Sequence, residues 1–102
     1  MYFRKKLYLG EGIKHSRKIQ WKLRHGAGMT DIYVISIASG MNQLECMHCG
    51  FFKQKLIREN TGLIVGLAKG YQEAQQLMID MIEDCLRVTG TPNVKEYLLN
   101  GV

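Results

Sequence analysis

The sequence predicts a small α/β domain in which four strands form one sheet and a long helix precedes a short final one. The first observation is the run from Ile32 to Ala38, which is rich in β-branched residues and apolar on both faces, as in a central strand. The second is a shorter apolar run from Leu63 to Ala68. The third is the segment from Tyr71 to Val88, where apolar residues recur at the steps of an amphipathic helix. We expect one domain, residues 1–102, with its own core.

Alternation and turn residues predict the other two strands. Phe3–Leu9 alternates, with Arg4 and Tyr8 on the side opposite Phe3, and ends at the turn Gly10-Glu11-Gly12. Gly40-Met41-Asn42-Gln43 is predicted to be a hairpin turn that leads into a third strand, Leu44–Met47.

Two further helices are predicted on either side of the long one. Gly50–Glu59 is interpreted as a helix, and Pro92 occupies a natural first-turn position for a short final helix after Gly90. Residues 13–25 fit two structures. Ile19 and Leu23, four apart, suit a helix, but their alternation with basic residues suits a strand equally well. We predict a helix because a crossover between strands needs about that many residues.

The predicted order is therefore β-α-β-β-α-β with additional helices at the carboxyl end. This order resembles that of a ferredoxin-like split βαβ arrangement. Such a resemblance implies an architecture but no particular chemistry.

Positive charge is concentrated in the first quarter of the chain. Residues 1–26 carry eight basic residues against one acidic, a net charge of +7, whereas residues 27–102 carry −2. This asymmetry indicates an anionic partner, although lysines also protect sheet edges and solvated helix faces. Basic residues interleaved with one tryptophan could follow a phosphate backbone and stack a base. The candidate nucleic-acid or anion patch consists of Arg17, Lys18, Trp21, Lys22 and Arg24.

The segment Cys46-Met47-His48-Cys49 is the place where the sequence looks most reactive. A structural zinc site usually needs a second pair of ligands, which the sequence lacks, so no metal site is expected. In these four residues the segment resembles the CxxC motif of thioredoxin-like oxidoreductases, which implies a redox role for Cys46 and Cys49. The chain has no tryptophan just before the pair and no proline before the next strand, where that family has one. The alternative is that these side chains pack in the core.

Gly66-Leu67-Ala68-Lys69-Gly70 connects the fourth strand to the long helix. Small residues at such a turn expose backbone N–H groups to an anion, and Lys69 could add a charge. The spacing is not that of a P-loop, and a tight packing turn is the alternative. Gly66, Lys69 and Gly70 are the candidate anion-binding residues.

The long helix has more apolar surface than one sheet face requires. Ile79, Ile82 and Leu86 widen its apolar stripe to about 200°, against the roughly 100° of an ordinary surface helix. Unless the final helix covers this arc, it forms a patch typical of an interface. We therefore expect a homodimer with these three residues in or beside its interface.

These observations favour a cytoplasmic binding or interaction protein without catalytic residues or a cofactor. Three cysteines, an odd number, suit a reducing compartment. No apolar stretch is long enough for a membrane span, and the charged residues near the N-terminus are not followed by the apolar segment and cleavage site of a signal peptide. A small anionic ligand or a partner chain is expected. The alternative is nucleic-acid binding through the basic first quarter, and a CxxC redox protein is the weaker alternative.

Overall fold

The predicted α/β fold class is confirmed by a computed structural model, which describes residues 1–38 and 43–99. A mixed four-stranded sheet carries helices on both faces, and its strands lie in the order β1-β4-β2-β3. The strands are β1 (Phe3–Leu9), β2 (Ile32–Ile37), β3 (Leu44–His48) and β4 (Ile64–Lys69). The helices are α1 (Ser16–Arg24), a 3₁₀ helix (Cys49–Lys53), α2 (Lys55–Asn60), α3 (Tyr71–Thr89) and α4 (Val94–Leu99).

The strand directions create a split βαβ unit. β2 is antiparallel to both β3 and β4, so β3 and β4 run parallel with β2 between them. β1 pairs with β4 in parallel, with Leu9 opposite Leu67, and the Gly10 amide donates to the Leu67 carbonyl at 3.0 Å. The carboxyl ends of β1 and β4 therefore meet at the same end of the sheet. This places the turn after β1 beside the turn before α3.

Both faces of the sheet are covered, which explains why the central strands are apolar on both sides. One core cluster contains Ile35 and Val65 and packs under α3 and α4. The other contains Val34 and Ile64 and packs under α1 and the 3₁₀ helix. Since β2 contributes to both clusters, its side chains cannot alternate between apolar and polar.

The ambiguous segment 13–25 forms a helix, as predicted, over Ser16–Arg24. Leu23 is 1% exposed and packs in the core, with Ile19 against the same cluster, whereas Trp21 is 57% exposed. His15 precedes the helix in the left-handed region, with φ of 57°. The helical spacing of Ile19 and Leu23 thus determines which side faces the sheet.

The predicted helix over Gly50–Glu59 is interrupted. Gln54 has extended backbone angles (φ −86°, ψ 123°) and separates the 3₁₀ helix from α2. Phe52, only 1% exposed, anchors the 3₁₀ helix in the core, whereas α2 has no buried residue. The hairpin turn predicted at Gly40-Met41-Asn42-Gln43 lies outside the described residues except for Gln43, but β2 and β3 pair as that turn requires, with Ile37 opposite Leu44.

α4 is fastened to β1 by a buried arginine. The Arg4 Nε–H donates to the Leu98 carbonyl at 2.9 Å, and a guanidinium N–H donates to the Lys6 carbonyl. Arg4 is only 9% exposed. A cation at a helix carboxyl end satisfies carbonyls that have no partner within the helix.

Within the described residues, no helix combines the length and apolarity needed to cross a membrane.

Candidate functional site

A depression lined by four lysines lies between α1 and the end of β4. Lys14, Lys18 and Lys22 approach it from α1 and the residues before it, and Lys69 approaches from β4. We call this cavity of about 340 Å³ the lysine groove. Its remaining lining residues are Gly12, His15, Ile19, Met29, Thr30 and Ile32. A mixed lining of this kind offers positive charge at the rim and apolar contact at the floor.

The groove lysines have no carboxylate partner among the described residues. The two ion pairs found there, Lys55–Glu59 and Arg87–Asp84, lie on other elements. Lys18 and Lys22 are one helical turn apart, a spacing at which like charges repel. The groove therefore carries an excess of positive charge that a bound anion would offset.

The positive surface continues around α1. Arg17, Lys18 and Arg24 are exposed, and no acidic residue occurs in the helix. The Trp21 indole stacks on the His25 ring with centroids 4.4 Å apart and planes at 25°. Arg24 lies over the Phe3 ring, 4.9 Å from its centroid. All five residues of the predicted nucleic-acid or anion patch are thus on α1, and Lys18 and Lys22 also line the groove.

The turn predicted to bind an anion already holds one of the protein's own carboxylates. The Lys69 backbone N–H donates to Glu73 Oε2 at 2.6 Å, and the Gly12 N–H donates to Oε1 at 2.8 Å. The Gly70 amide donates to the Asp31 carbonyl at 2.8 Å. Gly66 is buried inside β4 against Met81. Of the three predicted residues, only Lys69 therefore brings a side chain to the groove.

The two cysteines of the CxxC motif lie on opposite faces of the sheet. Cys46 packs against the cluster under α3, whereas Cys49 belongs to the cluster under α1. Burial raises the pKa of the Cys46 thiol, which lowers its thiolate fraction at neutral pH. Between them, His48 Nδ1 accepts the Gly50 backbone N–H at 3.0 Å and caps the 3₁₀ helix.

No metal-binding group of three or more His, Cys, Asp and Glu side chains occurs in residues 1–38 and 43–99.

Sequence reasoning missed a polar cluster between β1, α3 and α4. The Tyr8 hydroxyl donates to Asp84 Oδ2 at 2.8 Å and lies 3.3 Å from the Tyr97 hydroxyl. Burial raises the pKa of Tyr8, and its contacts with Tyr97 and Asp84 raise it further. Hydrogen bonds from Arg87 and Tyr8 lower the pKa of Asp84. The sequence signal for this cluster was the polar side of β1, which carries Arg4 and Tyr8. Such side chains need hydrogen-bond partners once a helix covers them.

The three residues predicted to widen the apolar stripe of α3 are exposed. Ile79, Ile82 and Leu86 have exposed fractions of 47%, 38% and 45%. α4 lies on the other side of α3, where Tyr97 approaches Tyr8 and Asp84. Because successive helix residues turn by about 100°, Ile82 and Leu86 lie on the side of α3 opposite Asp84.

Comparison of the chain with models of protein families, with curated proteins and with solved structures found no match. The function must therefore be argued from the sites themselves.

Proposed function

We propose that the protein is a non-catalytic binding protein that takes an anionic ligand in the lysine groove. The observation that carries this proposal is the convergence of four lysines on one cavity without a carboxylate partner among the described residues. Lys18 and Lys22 lie on α1, whereas Lys69 lies on β4, which is far from α1 in sequence. Bringing like charges together opposes folding, so the arrangement is best explained by a ligand that offsets it.

The lining favours a ligand with phosphate-like groups attached to a less polar body. Ammonium groups interact with phosphate as compact point charges that need no fixed geometry. Thr30 adds a hydroxyl, and Ile19, Met29 and Ile32 give an apolar floor. A volume of about 340 Å³ is within the usual range of small-ligand sites.

The test uses inorganic pyrophosphate as the probe in isothermal titration calorimetry at low ionic strength. We expect binding that Lys18→Gln/Lys22→Gln weakens about tenfold or more, the loss expected from removing about 1.4 kcal/mol of interaction. The control is Lys5→Gln/Lys6→Gln, which removes the same charge from exposed positions of β1. We expect this control to retain most of the affinity. Equal losses in the two variants would mean that net charge, and not the groove, attracts the anion.

We also propose that the protein is a homodimer whose interface includes Ile79, Ile82 and Leu86. This proposal is supported by the exposure of the stripe and by the position of α4 on the opposite side of α3. A two-fold partner that packs on these three residues would cover the exposed apolar surface of α3.

Sedimentation at micromolar concentration tests the dimer. Ile82→Lys is expected to give a monomer, since it places a charge within the stripe. Val88→Lys is the matched control, because Val88 is 60% exposed and lies on the same helix, about 120° around it from Ile82. A wild-type protein that sediments as a monomer contradicts the dimer and leaves the groove proposal unaffected.

A cytoplasmic location remains part of the proposal. Its support is that Cys46, Cys49 and Cys85 are all free thiols, as expected in a reducing compartment.

A further inference from the structure

The cationic surface is larger than a small anion needs. Beyond the lysine groove, it continues over the solvent side of α1 through Arg17, Trp21 and Arg24. A single phosphate or a compact metabolite would occupy the groove alone. A ligand with a repeated negative charge would contact both the groove and the helix surface, so the shape of the surface favours a polyanion.

Trp21 gives this surface a second kind of contact. It is 57% exposed, although a tryptophan on a soluble protein is usually well buried. Its indole is held in place by stacking on His25, whose Nδ1 lies 2.8 Å from the Trp21 carbonyl oxygen. A fixed, exposed aromatic ring surrounded by cations is the arrangement that stacks a nucleic-acid base.

The spacing along α1 suits a chain of phosphates. Lys18 and Lys22 are separated by one helical turn, about 6 Å along the axis. Trp21 lies between them in sequence and is itself exposed to solvent. Phosphates could therefore lie along the lysines while a base turns outward onto the indole.

A single strand fits this surface better than a duplex or a membrane does. In a duplex, paired bases are stacked on one another and cannot reach a side-chain platform without being flipped out. A helix that lies in a membrane interface needs a broad apolar face, and Trp21 is the one apolar side chain on the exposed part of α1.

We infer that the lysine groove and the exposed side of α1 together bind single-stranded nucleic acid, with phosphates on Lys18 and Lys22 and a base on Trp21. This inference rests on the proposed function, because the phosphates would occupy the same groove.

The experiment titrates a fluorescein-labelled oligothymidylate into the full chain and follows anisotropy and Trp21 fluorescence at several salt concentrations. We expect tight binding at low salt, quenching of the tryptophan, and a log–log salt slope of about −0.7 for each phosphate contacted. Lys18→Gln should reduce the slope by about one such contact. Trp21→Ala should weaken binding by about 5- to 100-fold, and Trp21→Phe should restore much of it. Circular dichroism confirms that each variant is folded.

The controls separate this inference from the proposed function. If pyrophosphate binds but the oligonucleotide does not bind more tightly, the ligand is a small anion and the inference fails while the proposed function stands. Three other results would overturn the inference. In the first, Trp21→Ala leaves the oligonucleotide affinity unchanged. In the others, the protein binds a duplex as tightly as the single strand, or prefers phosphatidylserine vesicles to the oligonucleotide. If neither pyrophosphate nor oligonucleotide binds at low salt, both proposals fail.

Discussion

Glu73 is a carboxylate that the protein keeps beside its own lysine groove. Both oxygens accept backbone N–H groups, one from Gly12 and one from Lys69, and neither forms an ion pair with the groove lysines. Glu73 thereby joins the turn after β1 to the turn before α3. The carboxylate thus joins two walls of the groove without forming an ion pair with the groove lysines.

Replacing Glu73 with alanine should destabilise the protein by about 1–3 kcal/mol, the usual effect of removing a charged hydrogen-bond acceptor. The Gly10→Ala variant should also be destabilised, because its Cβ would overlap the Glu73 carboxylate. Both changes break the same interaction, so their effects should not add. Urea unfolding of the two single variants and the double variant measures whether the losses of stability add. When Glu73 is already alanine, we expect Gly10→Ala to lower the free energy of unfolding by less than about 0.5 kcal/mol. Additive effects would mean that the carboxylate does not occupy the Gly10 turn.

At the scale of elements, the position of α3 depends on close approach to β4. A Cβ at Gly66 would lie 2.5 Å from Met81 Cε and 3.3 Å from the Tyr8 carbonyl oxygen. The space that a side chain at Gly66 would need is filled by the buried Met81 side chain of α3. The apolar sequence around Gly66 predicted a strand, but this contact could not be predicted without knowing which helix covers it.

Gly66→Ala should therefore destabilise the protein by about 1–3 kcal/mol through overpacking. Gly28→Ala is a suitable control, since the added Cβ would meet only the flexible end of Lys53, at 3.3 Å. We expect the control to change stability by no more than about 0.5 kcal/mol. A small effect at Gly66, measured by urea unfolding, would show that α3 can shift at little cost.

The elements that were easiest to predict are those with long, regular patterns. The apolar period of α3 and the β-branched run of β2 identified both correctly, because burial repeats along each of them. The segment after β3 was harder, since the extended backbone at Gln54 depends on how Phe52 enters the core. Alternation also put Arg4 on the polar side of β1, whereas α4 buries it.

Three of the four groove lysines were predicted as site residues, whereas Lys14 and the assembly of the groove were not. The charge pattern identified Lys18 and Lys22, and the turn after β4 identified Lys69. These separate predictions join in one groove because β1 and β4 pair in parallel. Strand order depends on long-range pairing that local patterns do not encode, so the convergence of these lysines had to come from the structure.

At the scale of the whole molecule, positive charge is concentrated in the first quarter of the chain, and the rest carries a small net negative charge. The first quarter carries most of the positive charge, and three of the four groove lysines come from it. Concentrated like charge favours ligand capture but opposes the compact state. The groove should therefore reduce stability in the absence of ligand, a cost commonly found at functional sites.

Removing one groove charge tests this trade-off. Lys18→Gln should raise the free energy of unfolding by roughly 0.2–0.5 kcal/mol at low ionic strength, because it relieves repulsion from Lys22, one helical turn away on α1. The gain should shrink near 0.15 M salt, where the screening length is about 8 Å. Lys55→Gln should show no such gain, since Lys55 pairs with Glu59 at 3.7 Å. Urea unfolding at several salt concentrations measures both variants. If Lys18→Gln is destabilising at low salt, Lys18 has an attractive role in the folded protein itself, and the unoffset charge of the groove no longer argues for a ligand.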